Sequence, residues 1–251
     1  RQMCIRDRYR GNFIRVAAFH AGISMPEDEI CLYPWKRSGK GEAKDGESLF
    51  DLNEFDEEYW RRLKDVTAYA KDKGVSILLQ MLGETDLESS THAAPKDIKK
   101  PRPTRWAIHP MNPDNNINSL EGLNGGNGTA GEGFFNLKNE KIRRIQEAYF
   151  KKILDETSNY GNIIYELSNE YLDSHRFIGV ERAWERAKYW VEFFQEYGKE
   201  HGVTPIFTNM GWKEVMKLHA EHPGVQCLDV YWTSRECGNG DVTKDGWLAY
   251  G

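Results

Sequence analysis

Residues 75–82 read VSILLQML, an almost continuous apolar run. A parallel strand that is covered on both faces has this composition, because neither side of it meets water. The segment before it predicts a helix, since apolar residues recur there at spacings of three and four: Phe55, Tyr59, Leu63, Val66 and Ala70. Asn53 or Asp56 can cap the start of this helix, and Gly74 can end it.

The same alternation continues on both sides of this unit. Strands are predicted at residues 12–19, 75–82, 163–167, 204–210 and 225–232. Helices are predicted around residues 55–70, 142–153, 184–202 and 213–219. Strands that alternate with helices indicate a parallel α/β sheet. Two architectures fit this pattern: a doubly wound open sheet, and a (β/α)8 barrel from which three strands are missing.

The long connections favour the barrel. Residues 83–136 are too many for an ordinary connection, and such loops are usually functional. They follow a predicted strand, and barrel active sites are built from the loops that follow strands. The predicted fold is therefore α/β, an incomplete (β/α)8 TIM barrel with roughly strands 2 to 6 and their helices.

Composition excludes several classes of partner. The net charge of -5 gives no basis for binding nucleic acid, which normally requires a basic patch. No apolar run approaches the roughly 18 residues of a membrane span. The histidines show no metal-ligand spacing, and the glycine-rich residues 122–133 lack the ending of a phosphate loop. We therefore expect no metal and no cofactor.

The sharpest local feature is YELSNE at residues 165–170. Its Asn169-Glu170 pair stands where a buried strand emerges, so Glu170 is expected to be partly desolvated there. Desolvation raises a carboxyl pKa, as a general acid at neutral pH requires. The alternative is that Glu170 only caps the following loop.

Four stretches together resemble the clan A glycoside hydrolases, the cellulase-like enzymes of the family-five type, over residues 12–231. NFIRV at 12–16 resembles the family's second strand, and FDLN at 50–53 leads into a stretch like its second helix. HPMNP at 109–113 is similar to a loop in a bacterial subgroup of sugar hydrolases. NIIYELSNE at 162–170 resembles the fourth strand, which carries the acid/base glutamate.

The resemblance implies a role for each matching residue. Glu170 would protonate the glycosidic oxygen and later deprotonate water, while Asn169 would bind the sugar 2-hydroxyl. Arg15 would hold the nucleophile ionised. Tyr231 would contact the nucleophile or the sugar ring.

Trp35 and His109 are candidates for contacts with further sugar units. For all of these residues the ordinary alternative is a packed aromatic side chain or a structural ion pair. The expected partner is a carbohydrate, a poly- or oligosaccharide, and export from a bacterium is the favoured location. The oligomeric state is not predicted.

One element of the family pattern does not occur in the sequence. A retaining glycosidase needs a second carboxylate about 5–5.5 Å from the first. After the last predicted strand only Glu236 follows, too soon to end a new strand. We expect the nucleophile beyond Gly251, and this chain alone to be inactive. The alternative is a carbohydrate-binding relative without catalysis.

The domain prediction follows from these observations. Residues 1–8 are interpreted as a non-native, adaptor-derived peptide, because they show neither helical nor strand periodicity. Residues 9–251 are interpreted as part of a glycoside hydrolase catalytic domain that lacks the first strand and the C-terminal strands.

Overall fold

The computed structural model of the protein describes residues 12–19, 32–87, 105–123, 130–168 and 178–208. The strands in these ranges are β1 Phe13–Ala17, β2 Trp35–Arg37, β3 Phe50–Phe55, β4 Ser76–Leu82, β5 Ile163–Ser168 and β6 Ile206–Thr208. The helices are α1 Glu57–Asp72, α2 Arg105–Ile108, α3 Glu140–Thr157 and α4 Val180–His201. The fold is thus mixed α/β, as the sequence predicts.

Strands β1, β4, β5 and β6 form one parallel sheet in that order. Neighbours in the sheet therefore follow each other along the chain, except for the β2–β3 hairpin between β1 and β4. In the register, Ala17 lies beside Gln80, which lies beside Glu166. Because all four strands run the same way, their C-terminal ends meet at one edge.

The two long helices α3 and α4 pack on the same face of this sheet. From α3, the Tyr149 hydroxyl donates to the Met81 carbonyl at 3.0 Å, and the Thr157 hydroxyl lies 2.9 Å from that of Tyr165. From α4, the Phe194 ring stacks on Tyr165 with centroids 6.5 Å apart. Helix α1 packs against α3. This arrangement fits both predicted architectures, because a barrel wall and one half of a doubly wound sheet each carry their helices on a single face.

The structure shows which of the two candidate residues caps the start of α1. The Asp56 carboxylate accepts hydrogen bonds from the backbone N–H groups of Glu58 and Tyr59, whereas Asn53 lies within β3. The helix ends at Asp72 with Lys73 as its C-cap, and Gly74 follows with φ at 63°. This left-handed backbone favours glycine, which confirms the predicted end.

The β2–β3 hairpin corrects the sequence interpretation. The strands predicted from the sequence do not include residues 35–37 or 50–55, yet these two segments pair as antiparallel strands. FDLN at 50–53 thus belongs to a strand, and α1 follows that strand. The reason is burial with a period of two: Phe50 and Leu52 are buried, while Asn53 is exposed. The Arg37 guanidinium lies 3.6 Å from the centre of the Phe50 ring and covers it.

Asparagines organise the described part of the long connection after β4. The Asn115 side-chain amide donates to the carbonyls of Ala107 and His109 at 2.7 and 3.0 Å. The Asn118 side chain accepts from the Leu52 backbone N–H at 2.8 Å, which joins this segment to the hairpin. These side chains replace the backbone hydrogen bonds that a segment without long helices or strands lacks.

The predicted strand at 225–232, the helix at 213–219 and the peptide at 1–8 lie outside the described residues. The closed barrel and the domain limits therefore stay predictions. Among the helices that the structure describes, none is long and apolar enough to cross a membrane.

Replacing the cap of α1 tests the helix start. We expect Asp56→Ala to lower the free energy of unfolding by about 1 kcal/mol, because two backbone N–H groups lose their acceptor. The matched control is Asn53→Ala, which removes the other sequence candidate and should change stability little. Urea unfolding followed by circular dichroism measures both, and an equal loss in the two variants would contradict the assignment.

Candidate functional site

The sheet face opposite the helices carries polar side chains. Side chains alternate between the two faces of a strand, so Arg15, Gln80 and Glu166 share one face while Tyr165 and Met81 share the other. The helix-covered face is apolar in β4 and β5. The opposite face therefore holds the charged and amide groups of these strands.

Arg15 and Glu166 form a two-point ion pair across β4. The Arg15 Nε donates to Glu166 Oε2 at 2.7 Å, and Nη2 donates to Oε1 at 2.6 Å. This fork-to-carboxylate geometry is the strongest arrangement available to the two groups. The Glu166 side chain is fully buried, whereas 37% of the Arg15 side chain is exposed. The pair thus has an enclosed member and an accessible one.

Gln80 of β4 is in register with Glu166 on one side and with Ala17 on the other. Its side chain is buried, and its amide nitrogen donates to the Leu82 carbonyl at 2.9 Å. The amide therefore points along β4 toward the edge where the strands end. Polar groups on this face are thus directed at the C-terminal edge of the sheet.

A second buried polar cluster follows the end of β4. The Asp86 carboxylate accepts from Arg105 Nη1 at 3.3 Å and is almost fully buried. His109 lies in the same region, with its ring centroid 5.3 Å from those of Phe19 and Trp106. The cluster joins the start of the long connection to α2.

His109 is held neutral by its surroundings. Its Nδ1 accepts a hydrogen bond from the Met111 backbone N–H at 3.1 Å, so the ring proton of the neutral form sits on Nε2. Burial lowers the pKa of His109 to about 4, and the nearby Asp86 carboxylate only partly opposes this. An imidazole in this state accepts a proton only in acid.

Two buried tyrosines tie the helices to the ends of β1 and β4. The Tyr59 hydroxyl donates to the Ala18 carbonyl, and the Tyr149 hydroxyl donates to the Met81 carbonyl. Burial raises the pKa of both phenols well above the ordinary value. Both groups therefore act as neutral donors that hold the edge of the sheet in place.

Of the six predicted site residues, three are described. Arg15 lies on the polar face, and its two-point partner is Glu166. Trp35 and His109 have 2% and 3% of their surface exposed, so both rings are enclosed by packing. Their contact with sugar stays a prediction. The other three fall outside the described residues: Glu170, Asn169 and Tyr231.

Two buried acids, Glu166 and Asp86, received no role from the sequence. The sequence contains a signal for Glu166, because this acid interrupts the apolar run IIYELS in the way that Gln80 interrupts VSILLQML. A polar residue inside a doubly buried strand requires a partner. Asp86 leaves no comparable signal, because it lies in a polar stretch. Among the described residues, no group of three or more His, Cys, Asp or Glu side chains could hold a metal ion.

These features define a mixed α/β chain with a parallel sheet and a partly buried ion pair on its polar face. The chain belongs to the family described as a domain of unknown function (DUF6298), whose model matches residues 6–240. No curated protein matches the sequence significantly.

One solved structure with a partial likeness is that of a candidate glycoside hydrolase from Bacteroides vulgatus ATCC 8482. The sequences are 14% identical, the TM-score is 0.44, and the alignment covers 80% of this chain and 29% of that chain. The present chain therefore spans less than a third of that protein's length.

Because His109 is buried in its neutral form, we expect the folded protein to lose stability in acid. The unfolded imidazole binds a proton near pH 6.5, but the folded one does so only near pH 4. Stability is therefore unaffected above pH 6.5 and falls as the pH decreases toward 4, by a total on the order of 3 kcal/mol. We expect His109→Gln to remove this part of the pH dependence, measured by urea unfolding between pH 7.5 and 4.

The matched control is His201→Gln, which replaces an exposed histidine at the end of α4. It should retain the acid-dependent loss of the unsubstituted protein. The interpretation is wrong if His109→Gln and His201→Gln show the same slope of stability against pH.

Proposed function

We propose that the protein is a retaining glycoside hydrolase in which Glu170 is the general acid/base. The observation that carries the proposal is the Arg15–Glu166 ion pair on the sheet face opposite the described helices. Glu166 stands four residues before Glu170 in the motif that resembles the family's acid/base strand. The arginine that the resemblance assigns to the site is thus paired with a residue of that same motif.

The arrangement of the sheet supports a (β/α)8 barrel as the scaffold. Its four parallel strands keep their chain order, and the described long helices pack on one side. A barrel wall has these two properties, with helices outside and the opposite face inside. The polar face would then be the barrel interior, and the strand ends would carry the site.

The proposed reaction proceeds in two displacements. A nucleophilic carboxylate attacks the anomeric carbon while Glu170 donates its proton to the departing oxygen. Glu170 then removes a proton from water, which attacks the anomeric carbon and releases the carboxylate. Asn169 would bind the sugar 2-hydroxyl, and Arg15 would keep the nucleophile ionised.

The proposed substrate is the O-glycosidic bond of a poly- or oligosaccharide. Tyr231 would contact the nucleophile or the sugar ring, as the resemblance implies. Trp35 and His109 remain candidates for contacts with more distant sugar units. Since both rings are enclosed as described, this role would require the packing around them to open.

Substitution of Glu170 tests the catalytic assignment in the full-length protein. We expect Glu170→Gln to lower kcat/KM by about 100-fold to 10,000-fold on glycosides with poor leaving groups. The loss should be smaller on dinitrophenyl glycosides, because a good leaving group departs without protonation. Steady-state hydrolysis of a panel of aryl glycosides measures both effects.

The matched control is Asp173→Asn, which neutralises the next carboxylate in the sequence. It should leave the dependence on the leaving group unchanged. Equal losses on all leaving groups would contradict the acid/base role. Binding of oligosaccharides without any turnover by the unsubstituted protein would instead indicate the non-catalytic relative.

A further inference from the structure

The Arg15–Glu166 pair is enclosed on one side and accessible on the other. Glu166 is fully buried, while 37% of the Arg15 side chain is exposed. Glu166 receives two of the five guanidinium N–H groups, one from Nε and one from Nη2. A molecule that approaches this face from solvent therefore meets Arg15 before it meets Glu166.

The pair also leans toward the C-terminal edge of the sheet. Arg15 is in register with Ile164, but its partner Glu166 lies two residues further along β5. Two residues of a strand correspond to about 7 Å. The guanidinium is therefore drawn from the middle of β1 toward the edge at which parallel α/β folds hold their reacting groups.

The positive charge of Arg15 would affect the pKa of any carboxyl group near it. An unpaired positive charge about 4–6 Å from a carboxyl group lowers its pKa by roughly 1–3 units. A general acid, however, must keep its proton near neutral pH. A guanidinium that is paired with a buried carboxylate still donates hydrogen bonds, but the positive charge is largely offset.

We propose that Glu166 is a positioning residue, which orients Arg15 at the edge of the sheet and offsets its charge, so that the guanidinium meets the reacting groups as a directed hydrogen-bond donor. The effect on the reaction rests on the proposed glycosidase function. The pairing itself rests on the described geometry of β1 and β5.

Stability alone does not explain such a pair. Burial removes the hydration of Glu166 and part of that of Arg15. Replacing both members of a buried pair by apolar side chains of similar volume is often neutral or stabilising. Removing Arg15 alone is strongly destabilising, because the Glu166 charge is then buried without a partner. A pair kept for stability and a pair kept for the site therefore predict different outcomes for the double replacement.

The first measurement is a double-mutant cycle by urea unfolding of the full-length protein. We expect Arg15→Met to raise the unfolding equilibrium constant by roughly 100-fold or more, because Glu166 is then buried without its partner. Glu166→Leu should raise it less, because the guanidinium that remains is partly exposed. Together they should return it to within about tenfold of the unsubstituted value. A double variant as unstable as Arg15→Met would show a structural pair and overturn the inference, with or without enzymatic activity.

The second measurement is the pH profile of kcat/KM for Glu166→Gln. This variant leaves Arg15 with a net positive charge, which favours the ionised form of every nearby carboxyl group. Both limbs of the profile should therefore move to lower pH by roughly 1 unit. A lower rate with both limbs in place would contradict the role in offsetting charge.

The matched control is Glu140→Gln, which removes the same charge from an exposed pair with Arg144 on α3. It should leave the pH profile unchanged. If the unsubstituted protein hydrolyses no glycoside, the proposed function is wrong, and the double-mutant cycle alone decides whether the pair serves the fold or the polar face.

Discussion

The packing of α3 against the sheet is the constraint on which the rest of the structure depends. Tyr149 lies at the centre of this packing. Its ring centroid is 5.1 Å from that of Trp35 and 5.9 Å from that of Trp60, and its hydroxyl donates a hydrogen bond to the Met81 carbonyl. One side chain thus joins the hairpin, α1 and the end of β4. The next residue of α3, Phe150, packs against Trp190 of α4, with ring centroids 4.6 Å apart. The apolar area buried by these rings drives their association.

This packing determines where polar groups of the sheet can lie. The helix-covered face of β4 and β5 is filled by side chains such as Met81 and Tyr165, so a charge there would lose its hydration without a partner. Strand alternation places Arg15, Gln80 and Glu166 on the other face. The buried Glu166 is tolerated there because Arg15 supplies two donors. Fold and proposed chemistry are thereby linked through the same strands.

Several parts of the fold could be predicted from the sequence because their causes are local. The apolar periodicity located α1, α3 and α4, and glycines marked two helix ends, Gly74 and Gly202. The hairpin was missed because its strands are short, and FDLN reads equally well as the approach to a helix. Their pairing depends on the burial of Phe50 beneath Arg37, a contact between residues distant in sequence. The candidate site was predictable only in part, since Arg15 was identified but its buried partner was not.

By itself, the sequence determined that this protein alternates strands and helices, and that polar residues interrupt strands otherwise apolar. Periodicity and capping act within a few residues of the chain, so they can be read directly. Only the tertiary structure decided that Arg15 pairs with Glu166, because the two are 151 residues apart in the chain. It also decided that His109 and Trp35 are enclosed. The ion pair follows from the register of the strands, and the enclosure of the two rings follows from side-chain packing. Both form only when segments that are distant in the sequence come together in the fold.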